Sequence, residues 1–464
     1  MKKSLKNTSI HLQRDVIVFL FLLLGSQCTT SKNDIYDRIR TVADQVKVID
    51  THEHQRPVHC REDQPFNVYD LLGYLGGDIT NAGGTGLFED MDSLNLDGMW
   101  DKYGEYINYT RNTSFYGSLV KGFQKLYGFN ELYFTRENTS ALSEQVAKNY
   151  RDYPSWFDEA FHKAGFELML VILADRDDFD FDSPAPLDER YFAQVFVINR
   201  FIQLVNVSAE KGIYPLKGLS YEMLGLDNFR VNDLDDYLVL CDHMLKRNIE
   251  AHAVGVKNTL AYYRTSEYED VPYVTARTLF NKLPEQRTTE EKKKLEDYIF
   301  HWTIKKCIEY DLPVQIHTGI GYGDGGNPVK LSNLFLQYPE ARFIVLHGGF
   351  PWTTECSMLG KEFRNVYFDL AWLAQLSRRE AIHALDVMLD AIAYNRFMWG
   401  GDCLYIEEST GALEMAKEVV AEVLAGRINQ GRMTEEVACD IVRKIFRENA
   451  INIYKLDHKL GRKF

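Results

Sequence analysis

The stretch VKVIDTHEHQRP, residues 46–57, ends a short apolar run on two histidines separated by one glutamate. Side chains alternate along a strand, so His52 and His54 point to one side and Glu53 to the other. Two neutral imidazoles converging on one point are half of a transition-metal site. Such a pair is equally at home in a loop, and short motifs match by chance. Its meaning therefore depends on whether the rest of the chain supplies matching strands and further ligands.

Seven more runs rich in Val, Ile and Phe follow, at residues 166–173, 192–198, 249–257, 312–317, 342–347, 365–370 and 396–402. Between most of them lie segments with helical spacing, such as DLDDYLVLCDHMLKRN (233–248), KKKLEDYIFHWTIKKCIEYD (292–311) and SRREAIHALDVMLDAIAY (377–394). Strands buried on both faces and alternating with helices imply a parallel sheet. Eight such units predict an α/β chain closed into a (β/α)8 TIM-type barrel. No glycine-rich dinucleotide fingerprint follows any of the runs, which disfavours an open nucleotide-binding sheet. Between the first and second runs lie about a hundred residues. They include NVYDLLGYLGGD, FYGSLVKGFQKLYG and ALSEQVAKNYRDYPSWFDEAFHKAG, and predict a helical insertion over about 60–165 that lids the barrel mouth. The link ADRDDFDFDSPAPLDER (174–190) reads as irregular.

The barrel is expected to occupy 46–464. Residues 1–28 read as a signal peptide: Lys2, Lys3, Lys6 and Arg14 precede the apolar run 16–24, and small residues Gly25 and Ser26 follow. The run is too short to anchor a chain across a bilayer. Residues 24–28, Leu-Gly-Ser-Gln-Cys, resemble a bacterial lipoprotein signal, with Gln27 where a small residue is usual. That resemblance implies a lipid anchor at Cys28 and an exported chain, periplasmic or held at the membrane. Residues 29–45 then form a tether and a leading helix. Net charge is −14 with no lysine- or arginine-rich run, which argues against nucleic acid as a partner. The seven cysteines form no Cys-x-x-Cys pair, so no disulfide framework is indicated.

Three further strand ends carry metal-competent residues: His317 in LPVQIHTG, His347 in FIVLHGG and Asp402 in MWGGDC. All fall at C-terminal strand ends, where a barrel gathers its catalytic groups. In a closed barrel the first and eighth strands are neighbours, which puts Asp402 beside His52 and His54 with His317 across the mouth. Imidazole and carboxylate donors of this kind suit Zn, Mn or Fe.

The motifs DTHEH, VQIHTG, VLHGG and GGD, in that order on successive strands, resemble the amidohydrolase superfamily and its amidohydrolase-2 branch. The resemblance runs from about Val46 to ENAINIYKL (448–456) and takes in GGDITNAG. The branch includes metal-dependent decarboxylases, lactone hydrolases and amidohydrolase-like domains fused to glutamine synthetase. The long insertion also resembles uronate isomerases. What the resemblance implies is one divalent metal, most readily Zn2+ with Mn2+ or Fe2+ as alternatives and a binuclear site less favoured, held by His52, His54, His317 and Asp402. It makes Asp402 and His347 the catalytic pair, Asp402 accepting a proton from the attacking water and His347 orienting that water or stabilising negative charge. Lys257, at the end of the fourth run, is then an uncarboxylated lysine available to a substrate carboxylate. Tyr262 and Arg264 in KNTLAYYR, and Arg56 just beyond the first motif, are the other substrate-binding candidates; Arg111 and Trp372 are weaker ones. Asp369 is a candidate to orient a ligand, and His252 is expected on the fourth strand, facing outward.

The function expected on these grounds is metal-dependent hydrolysis of a C–N or C–O bond in a small, carboxylate-bearing substrate. Non-oxidative decarboxylation and sugar-acid isomerisation are the alternative reactions. A catalytically dead binding barrel is the alternative of another class. The expected partner is a small molecule, with a homo-oligomer left open.

Overall fold

In the computed structural model, residues 32–55, 65–172, 187–206, 229 and 231–461 are described. The signal peptide, Cys28, Arg56 and most of the 174–190 link lie outside the described residues. All eight expected strands form. They are β1 (Val48–Glu53), β2 (Phe166–Ile172), β3 (Phe192–Val197), β4 (Gly255–Asn258), β5 (Val314–Ile316), β6 (Phe343–Val345), β7 (Val366–Asp369) and β8 (Phe397–Met398). They pair in sequence order and in parallel, and helices surround them. The seam between β8 and β1 is closed by backbone hydrogen bonds from Thr51 N to Trp399 O (3.2 Å), Asp402 N to His52 O (2.7 Å) and His54 N to Cys403 O (2.9 Å). Gly401 makes this close approach feasible, because a Cβ there would meet Glu53 Oε1 at 2.1 Å.

Parallel strands need crossover helices, and the sequence marks where those begin. Asp233 caps Leu234–Glu250, Thr288 forms a capping box on Thr289–Glu309, and Ser377 caps Arg378–Ala391. In each, the side-chain oxygen satisfies a backbone N–H that the first helical turn would leave unpaired. The expected fourth strand needs correction. Its first residues, Ile249 and Glu250, finish the crossover helix, and the strand is confined to Gly255–Asn258. His252 sits in the intervening turn with φ +64° and is exposed, so it is not an outward-facing strand residue. The apolar run conceals this turn because helix end and strand start share one composition.

The barrel interior is filled by Ile49, Leu168, Leu170, Val195, Ile344 and Met398. Its lower end is plugged by Ile451, Ile453 and Tyr454 of the C-terminal helix Asn449–Tyr454. Full burial of each aliphatic side chain contributes about 1.5–3 kcal/mol. The insertion is helical, as expected, with main helices Leu96–Tyr109, Ser114–Tyr127, Arg136–Tyr150 and Tyr153–Ala164. Ser114–Tyr127 packs along Ile406–Asn429, the helix that follows β8. That contact encloses a buried carboxylate: Glu407 accepts from Tyr127 OH (2.6 Å), Trp156 Nε1 (3.0 Å) and Tyr150 OH (2.8 Å). Three donors offset the desolvation of one buried acid. They also fix the insertion to the helix that follows Asp402.

Candidate metal centre

The β1–β8 seam decides which residues meet. With Asp402 N bonded to His52 O, the Asp402 carboxylate lies over the end of β1. Its Oδ1 stands 3.2 Å from His54 Nε2 and 3.8 Å from His52 Nε2. The ligand-capable atoms of His52, His54 and Asp402 all fall within 4.8 Å of one another. His52 and Asp402 are buried and His54 nearly so. Asp402 holds φ +55° and His347 φ +62°. Non-glycine residues in the left-handed region cost energy and concentrate at functional sites.

The chemistry of the three donors fits a divalent cation. His52 Nδ1 lies 2.9 Å from Gln315 Oε1, so Nε2 is the nitrogen turned towards Asp402. Burial, then the nearby Lys257 charge, drives His52 well below the usual histidine range and keeps the ring neutral, as a metal ligand must be. Burial works to raise Asp402, yet His52, His54 and His347 together hold it well below the carboxylate range. A carboxylate beside two imidazoles is a donor set suited to Zn2+, Mn2+ or Fe2+.

The other expected residues are placed as follows. His347 Nδ1 stands 3.5 Å from Asp402 Oδ2, and its Nε2 is 2.9 Å from His317 Nδ1. Burial pushes His347 down to about 4. His317 is adjacent but one ring further out. Its Nδ1 faces His347 and its Nε2 lies 2.8 Å from the Ile320 carbonyl, so both nitrogens are engaged and it stands outside the close trio. Lys257 is buried, with Nζ 3.4 Å from His52 Nε2, inside the site as expected. The ring of Tyr262 lies on that of His317 at 3.9 Å between centroids. Arg264 differs from expectation: its guanidinium is paired with Glu296 and Asp297 and lies over the Tyr268 ring. It braces its loop against the helix Thr289–Glu309 and is not presented as a free anion-binding group. Arg111 likewise bonds Phe134 O and lies over Tyr133, within the insertion. Asp369 accepts from the Thr51 hydroxyl and from Ala371 N, and Ala371 O in turn faces His347 Nδ1 at 3.2 Å.

Sequence reasoning missed Tyr74 and Glu408. Tyr74 donates from its hydroxyl to Asp402 Oδ1 at 3.3 Å, reaching in from the insertion. Glu408 holds it there, one carboxylate oxygen accepting from Tyr74 N (2.9 Å) and the other from Leu404 N (3.0 Å). Gly73, at φ +50°, passes so close that a Cβ would fall within 1.7 Å of the Glu408 carboxylate. The available signal was Gly-Tyr in LLGYLGGD, a turn glycine followed by an aromatic with a polar tip. Phe115 and Trp372 stack around Tyr74 at 5.7 and 4.8 Å, forming an aromatic wall beside the trio.

Comparisons with known proteins agree with this architecture. Protein fluG of Emericella nidulans is 28% identical over 180 residues, which are 36% of this chain and 21% of that protein, so the match spans about a fifth of the relative's length. The uronate isomerase of Thermotoga maritima superposes with a TM-score of 0.73 at 14% identity, covering 90% of this chain and 97% of that one. A protein of Lactobacillus casei ATCC 334, provisionally described as a metal-dependent hydrolase, gives 0.62 at 19% identity, covering 91% and 98%. At such identities the two structures speak for the fold. The model of the family described as "Amidohydrolase" matches residues 283–456, the part that carries β5 to β8 with His317, His347 and Asp402. Over residues 283–456 the chain is thus similar to the amidohydrolase family, which supports the resemblance read from its strand-end motifs.

Proposed function

We propose that the protein is a metal-dependent hydrolase that cleaves a C–N or C–O bond in a small, carboxylate-bearing substrate. The observation that carries this reading is the convergence of His52, His54 and Asp402 within 4.8 Å at the C-terminal end of the barrel. These three would hold one divalent cation, Zn2+ before Mn2+ or Fe2+. When bound, such an ion supplies Lewis acidity and lowers the pKa of its water to about 7. His317 would join the donors only by giving up a contact to His347 or to Ile320.

The remaining steps fall to the chain's own residues. Asp402 Oδ2, facing His347 at 3.5 Å, would accept the proton of the attacking water and pass it to the leaving group. His347, held between Asp402 and His317, orients that water and stabilises negative charge developing beside it. Lys257 supplies the buried positive charge for a substrate carboxylate or oxyanion. Arg56, two residues beyond His54, is proposed as a second anion-binding group. Tyr262 and Trp372 would flank the substrate, with Tyr74 over Asp402 limiting access of bulk water. The leader at 1–28 carries the accompanying proposal of export, with Cys28 as lipid anchor; fractionation and the mass of the mature N-terminus test it.

The central test pairs metal analysis with product analysis on purified protein. His52→Ala and Asp402→Asn should each lose metal and activity together; retention of metal in both sinks the reading. Across a panel of carboxylated amides, lactones and esters, a new acid with an amine or alcohol is the expected product. Released CO2 would instead identify a decarboxylase, and an unchanged substrate mass an isomerase.

A further inference from the structure

Gln315 lies on β5, fully buried, and makes three hydrogen bonds that determine one another. Its side-chain nitrogen donates to the Thr51 carbonyl at 2.8 Å and meets Tyr454 OH at 2.6 Å. A backbone carbonyl only accepts, so the amide NH2 must face Thr51 and Oε1 must face His52. Oε1 also only accepts, so His52 Nδ1, 2.9 Å away, must carry the ring proton. In a neutral imidazole this leaves the lone pair on Nε2, the nitrogen turned towards Asp402. Flipping the amide would set Oε1 against the Thr51 oxygen, a repulsive contact in a buried site.

Tyr454 comes from the opposite end of the barrel. It closes the C-terminal helix Asn449–Tyr454, which plugs the barrel floor. Tyr454 and Gln315 thus form a polar strut through the barrel interior, from the floor to the first metal-ligand candidate.

We infer that Gln315, braced by Tyr454, is a positioning residue that sets the tautomer of His52 and so makes its Nε2 competent to bind the cation. This rests on the metal-centre reading above. Partners of this kind typically change metal affinity by about 10–100-fold when removed.

The test uses the full-length protein, stripped of metal by chelation and titrated with Zn2+ against a chromophoric competitor. Gln315→Met, which keeps the volume and removes the acceptor, should weaken Zn2+ binding by about 10–100-fold. Gln315→Glu keeps an acceptor opposite Nδ1 and should bind Zn2+ more tightly than the Met variant. A residue that merely packs would show the reverse order, because Met is tolerated in a core and a buried Glu is not. Tyr454→Phe should weaken binding by less than Gln315→Met. Wild-type affinity in Gln315→Met, or a Glu variant no better than Met, overturns the inference. Should Gln315→Met fail to fold, unchanged affinity in Tyr454→Phe overturns the brace. Long-range 15N spectra of the metal-free wild type then decide the rest: His52 should be protonated at Nδ1, and protonation at Nε2 overturns the inference. A wild-type protein that binds no divalent cation would sink the metal-centre reading instead, while the spectrum would still report the tautomer.

Discussion

The two sides of the barrel mouth present the same residue type in opposite states. On the β1–β8 side, His52 has one ring nitrogen held by a side-chain amide and the other turned towards Asp402. On the β5–β6 side, His317 is equally buried, yet one nitrogen meets His347 and the other a backbone carbonyl. Burial lowers the pKa of both rings well below the usual range, so charge does not distinguish them. What separates them is the direction of the lone pair. A histidine at a strand end becomes a ligand candidate when a partner on its far side accepts a hydrogen bond from the ring N–H. The sides also differ in enclosure: the β1–β8 side is clamped by Tyr74 and Glu408, whereas Tyr262 on the other is 45% exposed.

The largest effect should come from exchanging the two histidine classes. His54→Ala should reduce metal content from about one equivalent per chain to about none, because a trio cannot lose a donor and hold the ion. His317→Ala should retain most of it. Metal analysis after gel filtration reads both, and equal losses would erase the contrast.

Next comes the clamp. Burial lifts Glu408 from 4.5 to about 7. The folded state therefore binds more protons than the unfolded state between these values, and stability falls as pH rises through them. This contribution is complete below about 4.5 and lost by about 7, amounting to roughly 3 kcal/mol. Urea unfolding of the metal-free protein at several pH values should show stability falling less steeply across this window in Glu408→Gln than in the wild type, with the buried acids Asp50 and Asp369 contributing to what remains. Added metal should reduce the slope as well, since the Asp402 charge helps to raise Glu408.

A smaller loss is expected from Gly73→Ala, which adds a Cβ inside the Glu408 carboxylate at a left-handed φ. It should destabilise by about 2 kcal/mol, with Tyr74 drawn off Asp402 and kcat falling more than metal content. The smallest effect belongs to the open side: Tyr262→Ala removes one ring contact and should raise KM by less than about tenfold. Metal content should not change. A larger effect than that of Gly73→Ala would mean the exposed side, not the clamp, governs catalysis.

Much of this was legible in the chain. The strand cores at 166–172 and 343–345 lie in apolar runs, and the crossover helices announce themselves by Asp233, Thr288 and Ser377 at their caps. His52, His54 and Asp402 could be grouped because closure of an eight-stranded barrel makes the first and last strands neighbours. The fourth strand was overread, since the turn at His252 interrupts an apolar run without a glycine or proline to mark it. Arg264 was misjudged because a cation near a barrel mouth looks the same in sequence whether it faces substrate or, as here, Glu296 and Asp297.

By itself, then, the order of apolar runs, caps and strand-end histidines determined a closed parallel barrel with a metal-competent rim. That information is local: periodicity and capping act within a few residues. How the rim side chains are held was decided only by tertiary contacts, Gln315 and Tyr454 behind His52 and Glu408 and Tyr74 beside Asp402, residues that lie far apart in the chain. Hydrogen-bond direction depends on what stands opposite each atom, and only the folded chain supplies that.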